Sequence, residues 1–326
     1  MSGVSDSFQR PINYLRISVT DRCNLRCIYC MPAEGVRLVP HSELLTYEEI
    51  ILVVRAAAEM GISKVRISGG EPLVRLGLVN LIRMLAQIHA IDDISLTTNG
   101  VWLRDQAAEL KESGLSRVNV SLDSLNRQRF ERITGYDKLT EVLQGIEQAR
   151  KVKLEPVKIN MVVMRGVNDD EVLDFALLSK QGWHVRFIEL MPFVNGGGTA
   201  PEFVSGEEMC NSLASLGDLE PCSAPIGVGP AKYYQLPGAE GTIGFITPVS
   251  EHFCFRCNRL RLTADGKLLP CLLSDQEVDL KHTLRTGAFA EEIRRLILEA
   301  IASKPEGHRV ALGVVPQRRL MTQVGG

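Results

Sequence analysis

The sequence predicts an α/β fold built on a parallel sheet or partial barrel, and two observations carry that prediction. Between residues 14 and 190, strand-like and helix-like stretches alternate about six times with short connections, which is the pattern of successive βα units. The first five of these strands also divide into one apolar and one polar face. After residue 190 the texture changes to Pro- and Gly-rich loops and short strands, so a second region is expected there.

The elements follow in order. Alternating side chains mark a strand at residues 14–20, followed by a cysteine-bearing loop. A helix is predicted over 47–60, opened by Thr46 with Glu49 three residues later, the spacing of a capping box. Strands are then expected at 64–68, 93–98, 117–122, 157–163 and 185–190. The helices between them fall at 76–89, 102–113, 127–133, 140–152 and 169–181. Farther on, 233–236, 242–247 and 259–262 read as short strands, 277–285 and 288–303 as helices, and the last eleven residues, PQRRLMTQVGG, as an extended tail.

Sidedness is the more informative property of the strands. One face carries Leu15, Ile17, Val19, Val65, Ile67, Ile94, Leu96, Val118, Val120, Val157 and Ile159. The other carries Arg16, Ser18, Thr20, Arg66, Ser68, Ser95, Thr97, Asn119, Ser121, Lys158 and Asn160. Barrel interiors are usually filled by Val, Ile and Leu. Unpartnered burial of so many polar groups would cost several kcal/mol each. Parallel strands are normally covered on both faces, so the polar face points to a lumen that holds water, a cofactor or a polar, anionic ligand.

Composition narrows the function. The chain has 326 residues, 45% of them hydrophobic, enough for a sizeable core. Lys and Arg total 37 against 39 Asp and Glu, a formal charge of −2. That balance argues against a protein built to coat nucleic acid or an anionic membrane. No apolar stretch is long enough for a transmembrane helix, and the N-terminus lacks the apolar core of a signal peptide, so a cytoplasmic location is expected.

Eight cysteines then need a role. Six form two groups: Cys23, Cys27 and Cys30 (C-x3-C-x2-C), and Cys254, Cys257 and Cys271 (C-x2-C-x13-C). Cys210 and Cys222 stand apart and read as small buried hydrophobes. Short spacings let thiolates converge on one metal or cluster. For the first triplet, spacing alone allows an iron–sulfur cluster with one iron left for another ligand, or a zinc site with a distant fourth ligand. Arg22 and Arg26 beside it suit an anionic, thiolate-rich site. For the second, spacing allows structural zinc completed by His252 or a loose cysteine, a redox C-x-x-C, or a cluster.

The surrounding residues go further. LRISVTDRCNLRCIYCMP matches the radical S-adenosylmethionine signature C-x3-C-x-φ-C, with Tyr29 as the aromatic φ. Ser68-Gly69-Gly70-Glu71-Pro72 follows the second strand, where that superfamily places its GGEP motif. Adding VRISGGEPLVR, LTTNG, VSLDSL, KINMVVMRGVND, RFIELMP, CFRCNRLRLTADGKLLPCL and the terminal Gly-Gly, the chain resembles the GTP 3′,8-cyclase (molybdenum cofactor biosynthesis protein A) family from about Tyr14 to its last residues.

The resemblance implies an incomplete (β/α)6 barrel of TIM type over 1–192 and an α+β cap with a second cluster and a tail over 193–326. It implies that Cys23, Cys27 and Cys30 hold a [4Fe–4S] cluster that chelates S-adenosylmethionine, with Tyr29, Gly70, Ser121 and Met191 lining that cofactor's pocket. Cys254, Cys257 and Cys271 would hold a second [4Fe–4S] cluster facing the purine of GTP. Arg16, Arg66, Thr97, Lys158, Arg259 and Arg261 would contact GTP, mainly its phosphates. The tail ending Gly325-Gly326 would enter the site, with Arg318 and Arg319 assisting.

The reaction so implied is conversion of GTP to 3′,8-cyclo-7,8-dihydro-GTP, the first step of molybdenum cofactor biosynthesis. A 5′-deoxyadenosyl radical would take the hydrogen from ribose C3′, and the C3′ radical would attack guanine C8. No acid or base residue is assigned, because the cofactors supply the chemistry. Expected partners are GTP, an electron donor such as flavodoxin or ferredoxin, the next enzyme (cyclic pyranopterin monophosphate synthase), and a second copy in a homodimer. Neither nucleic acid nor membrane is expected.

Two other classes compete with this reading. One is a different radical S-adenosylmethionine enzyme with an auxiliary cluster, such as a peptide-modifying maturase; those usually carry more cysteines after the barrel. The other is a non-enzyme, an electron carrier or a zinc-stabilised RNA-binding module, which would need no S-adenosylmethionine pocket.

Overall fold

Residues 3–32, 35–193, 202–227, 229–287 and 290–325 are described by a computed structural model. Six parallel strands form the core of the sheet in chain order: β1 (Tyr14–Ser18), β2 (Lys64–Ser68), β3 (Asp93–Thr98), β4 (Arg117–Ser121), β5 (Lys158–Arg165) and β6 (His184–Glu189). The crossover helices are α1 (Tyr47–Glu59), α2 (Leu78–Ala86), α3 (Leu103–Glu112), α4 (Arg127–Thr134), α5 (Leu139–Lys151) and α6 (Val172–Leu177). Residues 169–181, read as one helix, are a short α6 between two 3-10 turns.

The apolar strand face is the core face. Ile17, Val65, Ile67, Leu96, Val118, Val120 and Ile159 are buried in one cluster with Ile50, Val53, Leu81, Leu110 and Val142 of the helices. The capping box at α1 forms: the Thr46 hydroxyl accepts from the Glu49 amide at 3.1 Å, and the Glu49 carboxylate accepts from the Thr46 amide at 2.7 Å. The polar face is in register across the sheet. Arg16 lies beside Arg66, Ser18 beside Ser68, Thr97 beside Asn119, and Asn160 beside Arg186.

The sheet stays open, because β1 and β6 do not pair with each other. The C-terminal half adds β7 (Glu202–Phe203), β8 (Glu220–Pro221), β9 (Lys232–Gln235), β10 (Thr242–Ile246), β11 (Arg259–Leu262), β12 (Lys267–Leu269) and β13 (Val278–Asp279). Of these, β11 joins the free edge of β1 in parallel, and β10 joins the free edge of β6 in parallel. Antiparallel β12 and β13 continue one side, β9 and β8 the other. An incomplete barrel whose open side is covered by the C-terminal region is what the resemblance implied; the structure adds that the C-terminal strands extend both of its edges.

The remaining helices are α7 (Gly206–Ser212), α8 (Lys281–Arg285), α9 (Ala290–Ala302) and α10 (Met321–Val324). Two readings need correction. Residues 277–285 are not one helix: Val278 pairs with Leu268 in the sheet, and the Asp279 carboxylate accepts the Lys281 amide at 3.0 Å as α8 begins. The tail is not extended throughout, since Met321 and Val324 on one face of α10 bury against Phe193, Leu269 and Leu273. No helix among the described residues is long and apolar enough to cross a membrane.

Candidate active site

The carboxyl ends of the barrel strands open into a cleft enclosing about 1570 Å³ of space between protein atoms, mouth included. Ligands in parallel βα folds bind at this end. Cys23, Cys27 and Cys30 line it, on the loop after β1. That loop is pinned to α4 by the amides of Arg26 and Ile28, which donate to the carbonyls of Thr134 (2.7 Å) and Ile133 (3.0 Å). The amides of Cys30 and Met31 both donate to the Cys27 carbonyl at 3.0 Å, curling the chain so that the thiols face the cleft.

The four residues assigned to S-adenosylmethionine by resemblance line the same cleft: Tyr29, Gly70, Ser121 and Met191. Gly70 is there for want of space. A Cβ would lie 2.9 Å from the Asp21 carbonyl oxygen and 2.7 Å from the Arg22 carbonyl carbon, both backbone. Its amide donates to the Thr20 carbonyl at 2.7 Å, locking the β2 loop onto the loop that bears the cysteines. The Tyr29 hydroxyl donates to Asp123 at 2.8 Å, and burial and then the Asp123 carboxylate push that phenol well up.

Two buried carboxylates stand beside the triplet. Glu71 accepts from the Thr98 hydroxyl (2.7 Å) and the Asn99 amide (2.6 Å), and burial raises it to about 7 against those hydrogen bonds. Asp123 accepts from the Val162 amide at 2.9 Å and is raised by burial to about 6. As free thiols the cysteines hold their protons: burial and then Glu71 lift Cys23 to about 11, and burial and then Asp123 lift Cys27. Iron would have to displace those protons, as metal ligation of thiols ordinarily does.

Deeper in the cleft lies a basic surface. Arg16, Arg66, Arg259 and Arg261 line it with Thr97 and with Arg186, which sequence reasoning missed. None of the five arginines is in an ion pair with a carboxylate among the described residues; burial, then repulsion from Arg261 and Arg66, push Arg16 well down. Arg261 is lowered to about 10 by burial and then Arg259. Buried atoms with no hydrogen-bond partner among the described residues cluster here: Arg186 Nε, Arg259 Nε, Arg261 Nη1, Asn160 Oδ1 and the Tyr14 hydroxyl. Such orphans are rare in native proteins, and uncompensated guanidinium donors suit a multiply charged anion. Lys158 is placed elsewhere: its ammonium donates to the Pro225 (2.9 Å) and Ile226 (2.7 Å) carbonyls and is not part of the cleft lining.

The second triplet is assembled by the β11–β12 hairpin. Cys254 opens a 3-10 turn, Cys257 closes it with its amide on the Cys254 carbonyl at 3.1 Å, and Cys271 follows β12. The flanking Phe253 and Leu272 line the cleft. His252 does not complete a metal site; it packs edge-on against His308 at 5.3 Å between ring centroids. Cys27 feels the charges of Cys23 and Cys30, and Cys271 those of Cys254 and Cys257, so the sulfurs of each triplet stand close together and offer the three-thiol donor set that suits a cluster. All eight cysteines are free; Cys210 packs on the main core, and the Cys222 amide donates to the Tyr233 carbonyl at 3.0 Å.

The tail reaches this cleft. Met321 lines it, and the Gly325 carbonyl accepts from the Ser68 hydroxyl at 3.1 Å. Gly325 has φ +75°, and a Cβ there would lie 2.5 Å from the Ser68 hydroxyl oxygen. Gly326 lies outside the described residues. Arg319, expected to assist the tail, anchors it to Asp265 at 3.0 Å and Glu277 at 2.8 Å. The Arg318 amide donates to Asp275 at 3.0 Å.

Comparison with known proteins places this geometry. Residues 17–178 match the radical SAM superfamily and residues 183–310 match Molybdenum Cofactor Synthesis C. The chain is 54% identical to a GTP 3′,8-cyclase of Pelotomaculum thermopropionicum, covering 99% of this chain and 100% of the relative. It is 53% identical to one of Desulforamulus reducens (98% and 99% covered) and 50% to one of Moorella thermoacetica (99% and 100% covered). The fold is similar to that of Streptococcus suis SuiB bound to S-adenosylmethionine, with TM-score 0.59 and 15% identity over 87% of this chain and 68% of that one. The chain belongs to the GTP 3′,8-cyclase family of radical S-adenosylmethionine proteins.

Proposed function

We propose that the chain is a GTP 3′,8-cyclase, with Cys23, Cys27 and Cys30 holding one [4Fe–4S] cluster and Cys254, Cys257 and Cys271 a second. One observation carries this reading: a single cleft takes in the first cysteine triplet, five arginines that have no carboxylate partner among the described residues, and the residues flanking the second triplet. When bound, the first cluster and S-adenosylmethionine supply the one-electron chemistry that removes a hydrogen atom from ribose C3′ of GTP.

The chain's own part is placement and exclusion. Tyr29, Gly70, Ser121 and Met191 shape the S-adenosylmethionine side. Arg16, Arg66, Arg259 and Arg261, with Thr97, receive the triphosphate as fork donors, and Arg186 joins them. Lys158 completes the set when its ammonium exchanges the Pro225 and Ile226 carbonyls for phosphate oxygens. The tail, with Gly325 on Ser68, narrows the mouth and keeps water from the reacting ribose. An electron donor of flavodoxin or ferredoxin type supplies the reducing equivalents, and the product passes to the next enzyme of molybdopterin synthesis.

The test is an anaerobic assay of the reconstituted protein with dithionite, S-adenosylmethionine and GTP. The expected result is 5′-deoxyadenosine formed in step with GTP consumption and a cyclised dihydro product. Deoxyadenosine formed while GTP stays intact would point to another substrate.

A further inference from the structure

Lys304 is only 3% exposed, yet among the described residues no carboxylate pairs with it. Its ammonium donates to the carbonyls of Arg259 at 2.9 Å and Pro270 at 2.6 Å. Arg259 lies two residues past Cys257, and Pro270 directly precedes Cys271. One side chain therefore ties both arms of the β11–β12 hairpin together at the second triplet.

A second buried cation frames the same site. Arg10 donates to the Cys254 carbonyl and to those of Pro305 and Glu306, each at 2.7 Å, so the residues just after Lys304 are fixed to the first cysteine of the triplet. The two cations differ in one respect. Arg10 is neutralised by Asp6 at 2.6 Å, whereas among the described residues the Lys304 ammonium meets two backbone carbonyls and no carboxylate. A buried charge without a counter-ion costs several kcal/mol.

We propose that Lys304 is the countercharge of the second thiolate set, a positioning residue that holds the Cys257 and Cys271 segments and raises the reduction potential of the cluster bound there. The proposal rests on the reading that Cys254, Cys257 and Cys271 bind a cluster. Reduction makes such a cluster more negative, and a fixed cation in a dry site stabilises the reduced form.

The test is a redox titration of the reconstituted protein, following both clusters by electron paramagnetic resonance, in the wild type, Lys304→Met and Lys304→Arg. In Lys304→Met the reduced-to-oxidised ratio of the second cluster at fixed potential should fall about tenfold, a shift of about 59 mV to more negative values for one electron. The first cluster should not move, and Lys304→Arg should stay near the wild type. If Lys304→Met holds only the first cluster while Lys304→Arg holds both, the positioning role is supported directly.

An unchanged second-cluster potential in Lys304→Met would overturn the proposal. So would equal shifts at both clusters, loss of the second cluster in both variants, or a Lys304→Met chain that fails to hold even the first. A wild type carrying only one cluster would instead defeat the two-cluster reading itself, which keeps the two failures apart.

Discussion

Lys158 shows that the face of a strand can be read from the sequence while the height along it cannot. It belongs to the polar face and is the first residue of β5, so it stands at the barrel's amino end. Alternation reports the face of a strand but not the level along the barrel axis. Burial first, then repulsion from Arg186, Arg117 and Arg66, hold its amine at about 6. Above that pH the nucleotide-free protein carries Lys158 neutral, and a triphosphate nearby would raise its pKa. GTP binding should therefore take up close to one proton at pH 8, and affinity should weaken as pH rises from 6 toward 8. Calorimetry in buffers of different ionisation enthalpy measures this uptake. Lys158→Ala should abolish most of it and weaken binding about ten- to hundredfold, the worth of a charge-assisted hydrogen bond; unchanged affinity would remove Lys158 from the phosphate site. Arg186 was overlooked although β6, His-Val-Arg-Phe-Ile-Glu, alternates as the earlier strands do, with Val185 and Phe187 buried.

Among the elements, the barrel strands and their helices were legible because each declares itself locally, through period-two or period-3.6 patterning. β10 and β11 were legible as strands but not as edges of the barrel sheet. Which strand they join is decided by the open edges of β1 and β6, far away in sequence. The tail was legible least, since α10 is a single turn held by Met321 and Val324 against Leu269 and Leu273 rather than by helix propensity. Its tether is testable. Arg319 is 16% exposed at its side chain and spans Asp265 and Glu277. Arg319→Met should release α10, so limited proteolysis should clip the last residues about tenfold faster, as a loss of ~1.4 kcal/mol in docking implies. GTP turnover should fall at unchanged iron content. A tail that stays protected would show that the apolar contacts suffice.

At the scale of the whole molecule, the near-neutral formal charge of −2 conceals a strong separation. Five arginines face one cleft, while Glu189 is spent on joining the halves: it accepts from the amides of Gly206 (2.8 Å), Val249 (2.9 Å) and Ser250 (3.0 Å), and from the Ser250 hydroxyl. A basic lumen could be read from polar residues recurring on one face of successive strands, because parallel sheets leave no solvated face to hold them. The position of the second triplet beside that lumen came from the family resemblance and not from patterning, because it depends on β11 pairing with β1.

The account stands or falls on two clusters bound by two separate triplets. Anaerobic reconstitution followed by iron and zinc analysis tests it most directly. The wild type should hold about eight irons and no zinc, four per cluster, and the chain with Cys254, Cys257 and Cys271 all changed to Ala should hold about four. A wild type with four irons and one zinc, or a triple variant that still holds eight irons, would contradict it.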